Sequence, residues 1–166
     1  MLEAHRIRQL VDVRTIPRSR HNPQFDRQNL PGSLEAAGIA YRHMPGLGGL
    51  RHPRKDSINT GWRNSSFRGY ADYMQTGEFH KNLDDLTLLA ANAPTVIMCA
   101  EAVPWRCHRS LIADALTARG VTVLDIMTAD KSQPHALTQF AKVDGPLVTY
   151  PAPAMSVDLP LFSQLE

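Results

Sequence analysis

The sequence predicts an α/β fold, a small mostly parallel sheet flanked by helices in a single domain, on three observations. Short apolar runs alternate along the chain with segments of helical periodicity, in the order strand, helix, strand, helices, strand, helix, strand. Residues 95–100 and 121–127 are near-continuous apolar runs, the pattern of strands covered on both faces. Residues 78–91 place Phe79, Leu83, Leu86 and Ala90 on one helical face, and residues 107–119 do the same with Leu111, Ile112, Ala115 and Leu116.

The elements follow in order. Residues 9–13 read as a short buried strand with Asp12 near its end and Arg14 just beyond. A loop with arginines, His21 and two prolines leads to a helix over about residues 25–37, broken or restarted at Pro31-Gly32, with Ser33 as a candidate cap and Gly38 as its stop. Residues 39–43 alternate around Tyr41 and predict a second strand. Residues 44–66 form a long irregular segment with Gly46, Gly48, Gly49, Gly61 and Trp62, a length that in a compact domain points to function or mobility. A short helix is expected over 67–75 and a longer one over 78–91, after which Pro94 opens the third strand. Gly120 ends the helix over 107–119 and a buried strand is expected over 121–127. A short helix can form near 134–140. The domain is read as residues 1–143, followed by an extended Pro-rich tail over 144–166.

Bulk properties exclude several classes. At 166 residues with 43% hydrophobic and 20% charged residues, the chain has the composition of an ordinary soluble globular domain. No apolar run approaches the roughly 20 residues of a membrane helix. The amino-terminal segment has no apolar signal core, so a cytoplasmic protein is expected. Two cysteines are too few for a disulfide framework. The net charge of +2 hides an asymmetry: residues 1–70 hold 12 of the 18 Lys and Arg and 5 of the 16 Asp and Glu, a balance of +7 against −5 in the remainder. The excess is almost wholly arginine, whose planar fork suits phosphate and carboxylate.

The chemistry concentrates in residues 99–109. Both cysteines lie there with Glu101, Arg106, His108 and Arg109, between an apolar strand and a helix. Open α/β folds place ligand sites at such junctions. If the strands are parallel, their C-terminal ends bring Arg14, His43, Cys99, Glu101 and Asp125 toward one edge. Cys107 would sit at the first turn of its helix, where backbone amides and Arg106 and Arg109 favour a thiolate. His108 is either its base or a core residue. Cys99, closing an apolar strand, reads as structural. Glu101 needs a partner on leaving a buried strand, with Arg14, Arg106 and Arg109 as candidates.

Three chemistries compete. One is a thiolate enzyme or redox protein with Cys107, His108 and Glu101 as the catalytic set. A phosphatase loop is absent, because six residues rather than five separate Cys99 from Arg106. A second is metal binding, which the seven residues between the cysteines do not fit, so no metal and no cofactor is expected. The third, which requires the fewest assumptions, is binding or processing of a phosphate-bearing ligand, nucleotide or nucleic acid, by Arg14, Arg18, Arg106 and Arg109 with the helix amides. Trp62 is the aromatic residue expected as a lid or ligand contact.

The run Val11-Asp12-Val13-Arg14 with Pro17-Arg18-Ser19, then Tyr41 with Leu47-Gly48-Gly49, then Phe67, Tyr70 and Met74, and above all Met98-Cys99-Ala100-Glu101 with Cys107-His108-Arg109, resembles the family named domain of unknown function 488 over about residues 7–130. The resemblance implies a prokaryotic, cytoplasmic α/β protein and assigns no activity. Members usually begin with a further strand carrying a Gly-His-Ser turn. This chain begins after it, so either its start is misplaced or the strand is lacking, which would expose a sheet edge or leave that turn to a partner chain. Separately, Asp158, Leu159, Leu161 and Phe162 resemble the peptide by which bacterial DNA-processing proteins dock on the replication sliding clamp, with Asp158 in place of the usual glutamine. A clamp-associated adaptor is therefore a further alternative.

Overall fold

The computed structural model describes residues 1–103 and 106–153. Three parallel strands form the centre: β1 (Gln9–Asp12) lies between β2 (Ala40–His43) and β3 (Thr95–Met98). Gln9 is level with Ala40 and Thr95, and Asp12 with His43 and Met98, so all three strands end on one edge. The period of two along β1 splits the core. Leu10 faces one side with Ile7, Ile39 and the Leu30 and Leu34 of α1 (Leu30–Ala36). Val11 and Val13 face the other, against α2 (Ser65–Tyr73), α3 (Gly77–Asn92) and α4 (Arg109–Ala118).

Local chemistry sets the helix ends. The Asn64 side chain accepts from the amides of Ser66 and Phe67, and Thr76 accepts from that of Phe79, satisfying donors that the first turn leaves free. Gly38 and Gly120 stop α1 and α4 with φ of +69° and +77°. Leu111, Ile112, Phe79, Leu83 and Tyr70 are essentially fully buried. Each such aliphatic side chain contributes about 1.5–3 kcal/mol.

The α/β class and the parallel sheet match the sequence expectation, and several elements differ. The helix expected over 25–37 is a 3₁₀ turn at Pro23–Phe25 followed by the shorter α1. Residues 121–127 do not join the central sheet: β4 (Leu124–Ile126) pairs antiparallel with β5 (Ser132–Pro134). The turn between them is closed by the Met127 and Thr128 amides on the Lys131 carbonyl, which folds the chain back on itself. No helix forms near 134–140, because Asp114 draws that segment toward α4 by accepting from the Thr138 amide and the His135 ring. The packed chain also runs past 143. A hairpin of β6 (Lys142–Asp144) and β7 (Leu147–Thr149), turning at Gly145 with φ +55°, buries Val148 and Tyr150 in the core.

Candidate thiol site

The shared edge of the three strands carries three loops. The loop after β1 holds Arg14 and Arg18, the loop after β2 holds Gly46–Gly49, and the segment after β3 holds Cys99 and leads to Cys107 and α4. Cys99 leaves β3 directly, and its sulfur accepts the Glu101 amide at 3.2 Å. The Cys107 sulfur lies 3.5 Å from His108 Nδ1 and accepts the Arg109 amide at 3.5 Å. Both cysteines are free, and the Cys99 thiol donates to the Glu101 carbonyl at 3.7 Å.

The two thiols differ in acidity. The neighbouring Cys99 thiol pulls the Cys107 thiol well below its ordinary range, burial opposes it, and His108 and the Arg109 amide add to it. Cys99 is pushed up first by neighbouring Cys107 and then by burial. Ionisation is thus favoured at Cys107 and opposed at Cys99. The other ring nitrogen of His108, Nε2, is buried with no partner among the described residues.

The loop after β2 packs against His108 and covers it. A Cβ on Gly49 would come within 2.5 Å of His108 Nδ1, so only glycine permits this approach. The Tyr70 ring lies 5.0 Å from the His108 ring on its other flank. The cover is held by its carbonyls: Tyr70 donates to Leu47 at 2.9 Å, Tyr73 to Gly46 at 2.6 Å, and Arg51 to Gly46 and Gly48 while stacking 3.5 Å over Tyr73. Cys107 is 4% exposed.

The arginines expected to grip an anion do not converge. Arg14 is buried and makes a bidentate pair with Asp12, Nε to Oδ1 at 2.8 Å and Nη2 to Oδ2 at 2.6 Å, with a third bond to the Phe25 carbonyl. Tyr41 donates to the same carboxylate at 2.9 Å. Burial raises the Asp12 pKa, but the Arg14 and Tyr41 bonds outweigh it and Asp12 stays below the ordinary carboxylate range. Burial, then Asp12, pushes Tyr41 up to about 12. Arg109 Nη2 donates to the Glu101 carbonyl at 2.5 Å and the Ala102 carbonyl at 3.4 Å, tying the two ends of the 101–109 stretch. Thus it is the Glu101 backbone that Arg109 holds; the carboxylate makes no ion pair among the described residues. Arg106 is exposed. Arg18 lines a separate open cavity of about 460 Å³ with Ser19, Arg20, Pro23 and Asp26. His43 meets the Arg14 carbonyl at 2.9 Å.

Trp62 is not at the thiols. It stacks on Phe67 at 4.7 Å and meets the edges of Phe140 and Tyr150, because three aromatic rings there give it more contact than a solvent-facing lid would. Asp125 is likewise away from the sheet edge, against His135 Nδ1 at 3.2 Å. Among the described residues no three His, Cys, Asp or Glu side chains gather as a metal site. Asp158, Leu159, Leu161 and Phe162 lie outside the described residues.

Sequence reasoning missed a second polar centre. Asp114, fully buried on α4, accepts from Tyr150 Oη at 2.8 Å, His135 Nε2 at 2.9 Å and the Thr138 amide at 3.0 Å. Its carboxylate, followed by Asp125 against burial, raises His135 above its usual value. The Tyr150 amide donates to Asn59 and Asn59 to Asp72, joining this centre to the 53–62 loop. The available signal was a carboxylate inside the apolar stretch Leu111–Leu116.

A family model described as Domain of unknown function DUF488 matches residues 1–116. No curated protein and no solved structure matches the chain. No described helix is long and apolar enough to cross a membrane.

Proposed function

This chain belongs to the DUF488 family, whose description assigns no activity, and from that premise we propose that it works through Cys107 as an activated thiolate. The observation that carries the reading is the convergence on the Cys107 sulfur of the Arg109 amide and the His108 ring. A thiolate is the nucleophilic form of cysteine. In this reading Cys107 attacks a small electrophile, His108 holds or passes a proton at its ring nitrogens, and Arg109 fixes the 101–109 stretch through the Glu101 carbonyl. The Gly46–Gly49 cover limits what reaches the sulfur.

The test is the pH dependence of alkylation by iodoacetamide at each cysteine, resolved by peptide mass spectrometry. The midpoint is read rather than the rate, because the cover slows both forms. The expected midpoint for Cys107 lies well below the ordinary thiol value of about 8.5, with Cys99 above it. A Cys107 midpoint at or above that value refutes the reading.

A phosphate-bearing ligand is the second reading, favoured by the open cavity where Arg18 and Arg20 flank Ser19. Arg14 does not contribute to it, and the Asp26 carboxylate in the lining opposes it. Salt-dependent binding of DNA or RNA that is lost in Arg18→Ala supports this version. Absence of binding at low salt removes it.

A further inference from the structure

We infer that Tyr70 is a positioning residue for Cys107: its ring holds the His108 imidazole beside the sulfur, and its hydroxyl holds the loop that bears on the same imidazole. The inference rests on the thiolate reading above and adds to it a residue of α2 that lies outside the 99–109 segment.

Packing sets the orientation of the His108 ring. Nδ1 is 3.5 Å from the Cys107 sulfur, a long contact, and no bond fixes Nε2 among the described residues. The torsion that turns a histidine ring is broad and chooses no angle by itself. Two groups bear on the ring. A Cβ on Gly49 would lie 2.5 Å from Nδ1 and 2.9 Å from both Cε1 and Cγ, distances that place it over the ring face. The in-plane direction at Nδ1 is thereby left to the sulfur. The second group is Tyr70, whose ring centre lies 5.0 Å from that of His108 at a tilt of 49°.

Tyr70 is suited to this task because it is itself fixed. It is fully buried. The rings of Phe79 and Tyr73 meet it edge-on at 6.1 and 6.0 Å. Its hydroxyl donates to the Leu47 carbonyl at 2.9 Å, two residues before Gly49. One side chain therefore acts on His108 directly through its ring and indirectly through the loop. The loop has other support, since Tyr73 and Arg51 bind the Gly46 carbonyl and Arg51 that of Gly48. The ring contact has no substitute: among the described residues, Tyr70 alone pairs an aromatic ring with His108. The ring should thus govern the thiol, while the hydroxyl contributes mainly to stability.

The test compares Tyr70→Phe, which keeps the ring, with Tyr70→Leu, which loses ring and hydroxyl together. Iodoacetamide alkylation of Cys107 is followed against pH by peptide mass spectrometry, and urea melts report stability. Both variants should unfold at lower urea than the wild type. Only Tyr70→Leu should raise the Cys107 midpoint, by about one pH unit, the effect of weakening a hydrogen bond to a charged group. Tyr70→Phe should keep the wild-type midpoint. A purely structural Tyr70 would lower stability in both variants and move neither midpoint, and that result overturns the inference. An equal rise in both variants overturns it as well, because the ring would then count for nothing. The wild-type protein supplies a check that needs no variant. Nuclear Overhauser contacts between the Tyr70 and His108 ring protons are expected, and their absence overturns the inference even if Tyr70→Leu fails to fold. Where the wild-type Cys107 midpoint is acid-shifted, these failures remove the role of Tyr70 alone. An ordinary wild-type midpoint removes the thiolate reading and this inference with it.

Discussion

Replacing Asp114 by alanine should be among the most damaging single changes in this chain. Its carboxylate is fully buried and receives three donors, Tyr150 Oη, His135 Nε2 and the Thr138 amide, all at 2.8–3.0 Å. Removing it strands three donors in the interior and leaves the His135 charge with only Asp125 beside it. Loss of one member of a buried pair costs about 3–5 kcal/mol. With a urea slope of about 2 kcal/mol per molar, the unfolding midpoint should fall by about 2 M. Tyr150→Phe removes one donor and leaves the carboxylate two others, so about 1 kcal/mol and a drop of about 0.5 M are expected. The same network carries a pH signature. His135 is raised in the folded state, so its contribution is fully present below the unfolded value of about 6.5 and is lost as pH rises through the higher folded value. Asp114→Ala should flatten that decline. Urea melts at several pH values decide the matter. A midpoint drop no larger than that of Tyr150→Phe, or an unchanged pH slope, refutes the account of Asp114 as the clamp on the C-terminal segment.

Two further outcomes follow from the site. Arg14→Ala should destabilise by about 3–5 kcal/mol, because Asp12 is left buried without its partner. The Asp12 contribution itself should vanish as pH falls through its lowered folded value, and a wild-type acid unfolding arm that disappears in Arg14→Ala checks the sign. An Arg14→Ala protein of unchanged stability would show that the guanidinium is free for a ligand after all. Gly49→Ala drives a methyl group to 2.5 Å from His108 Nδ1 and must displace the ring or the cover. The expected result is a higher Cys107 alkylation midpoint together with a stability loss of about 1–3 kcal/mol. An unshifted midpoint would mean that the ring makes no contribution to the thiolate.

The parts that were legible in the sequence are those that repetition encodes. The apolar runs of β1 and β3 and the helical spacing of α3 and α4 state their own periods, and from them follow the parallel edge and the position of residues 99–109. Partner choice is not encoded that way. Arg14 and Arg18 are the same residue type in one loop, yet Arg14 is buried against Asp12 and Arg18 lines open surface. Glu101 invited an ion pair, but the Arg109 fork reaches its carbonyl instead. Cys99 reads as a small hydrophobe, and nothing periodic announces that its sulfur bonds the Glu101 amide and carbonyl. Residues 121–127 have the composition of a central strand. Their pairing was settled by the tight turn at 127–131 and by His135, neither of which has a periodic signature.

The three loops at the sheet edge are therefore unequal, and this bears on where chemistry can vary. The start of the loop after β1 is fixed from inside, since Asp12 accepts from the Arg14 amide, the Arg14 guanidinium and Tyr41. The loop after β2 is fixed by carbonyl bonds from Tyr70, Tyr73 and Arg51, and its glycine lies against His108. Both present backbone and satisfied side chains to the centre. The groups that the proposed thiolate reading uses, the Cys107 sulfur and the His108 ring with its unpartnered Nε2, come from the third segment. A rigid two-sided frame with one chemically active side is what a buried thiolate needs, because a misplaced donor changes its acidity at once. It follows that substitutions within the 99–109 segment should alter reactivity directly. Substitutions in the other two loops should alter it only through the position of His108 or through stability, and the contrast between Gly49→Ala and Arg14→Ala separates those two routes.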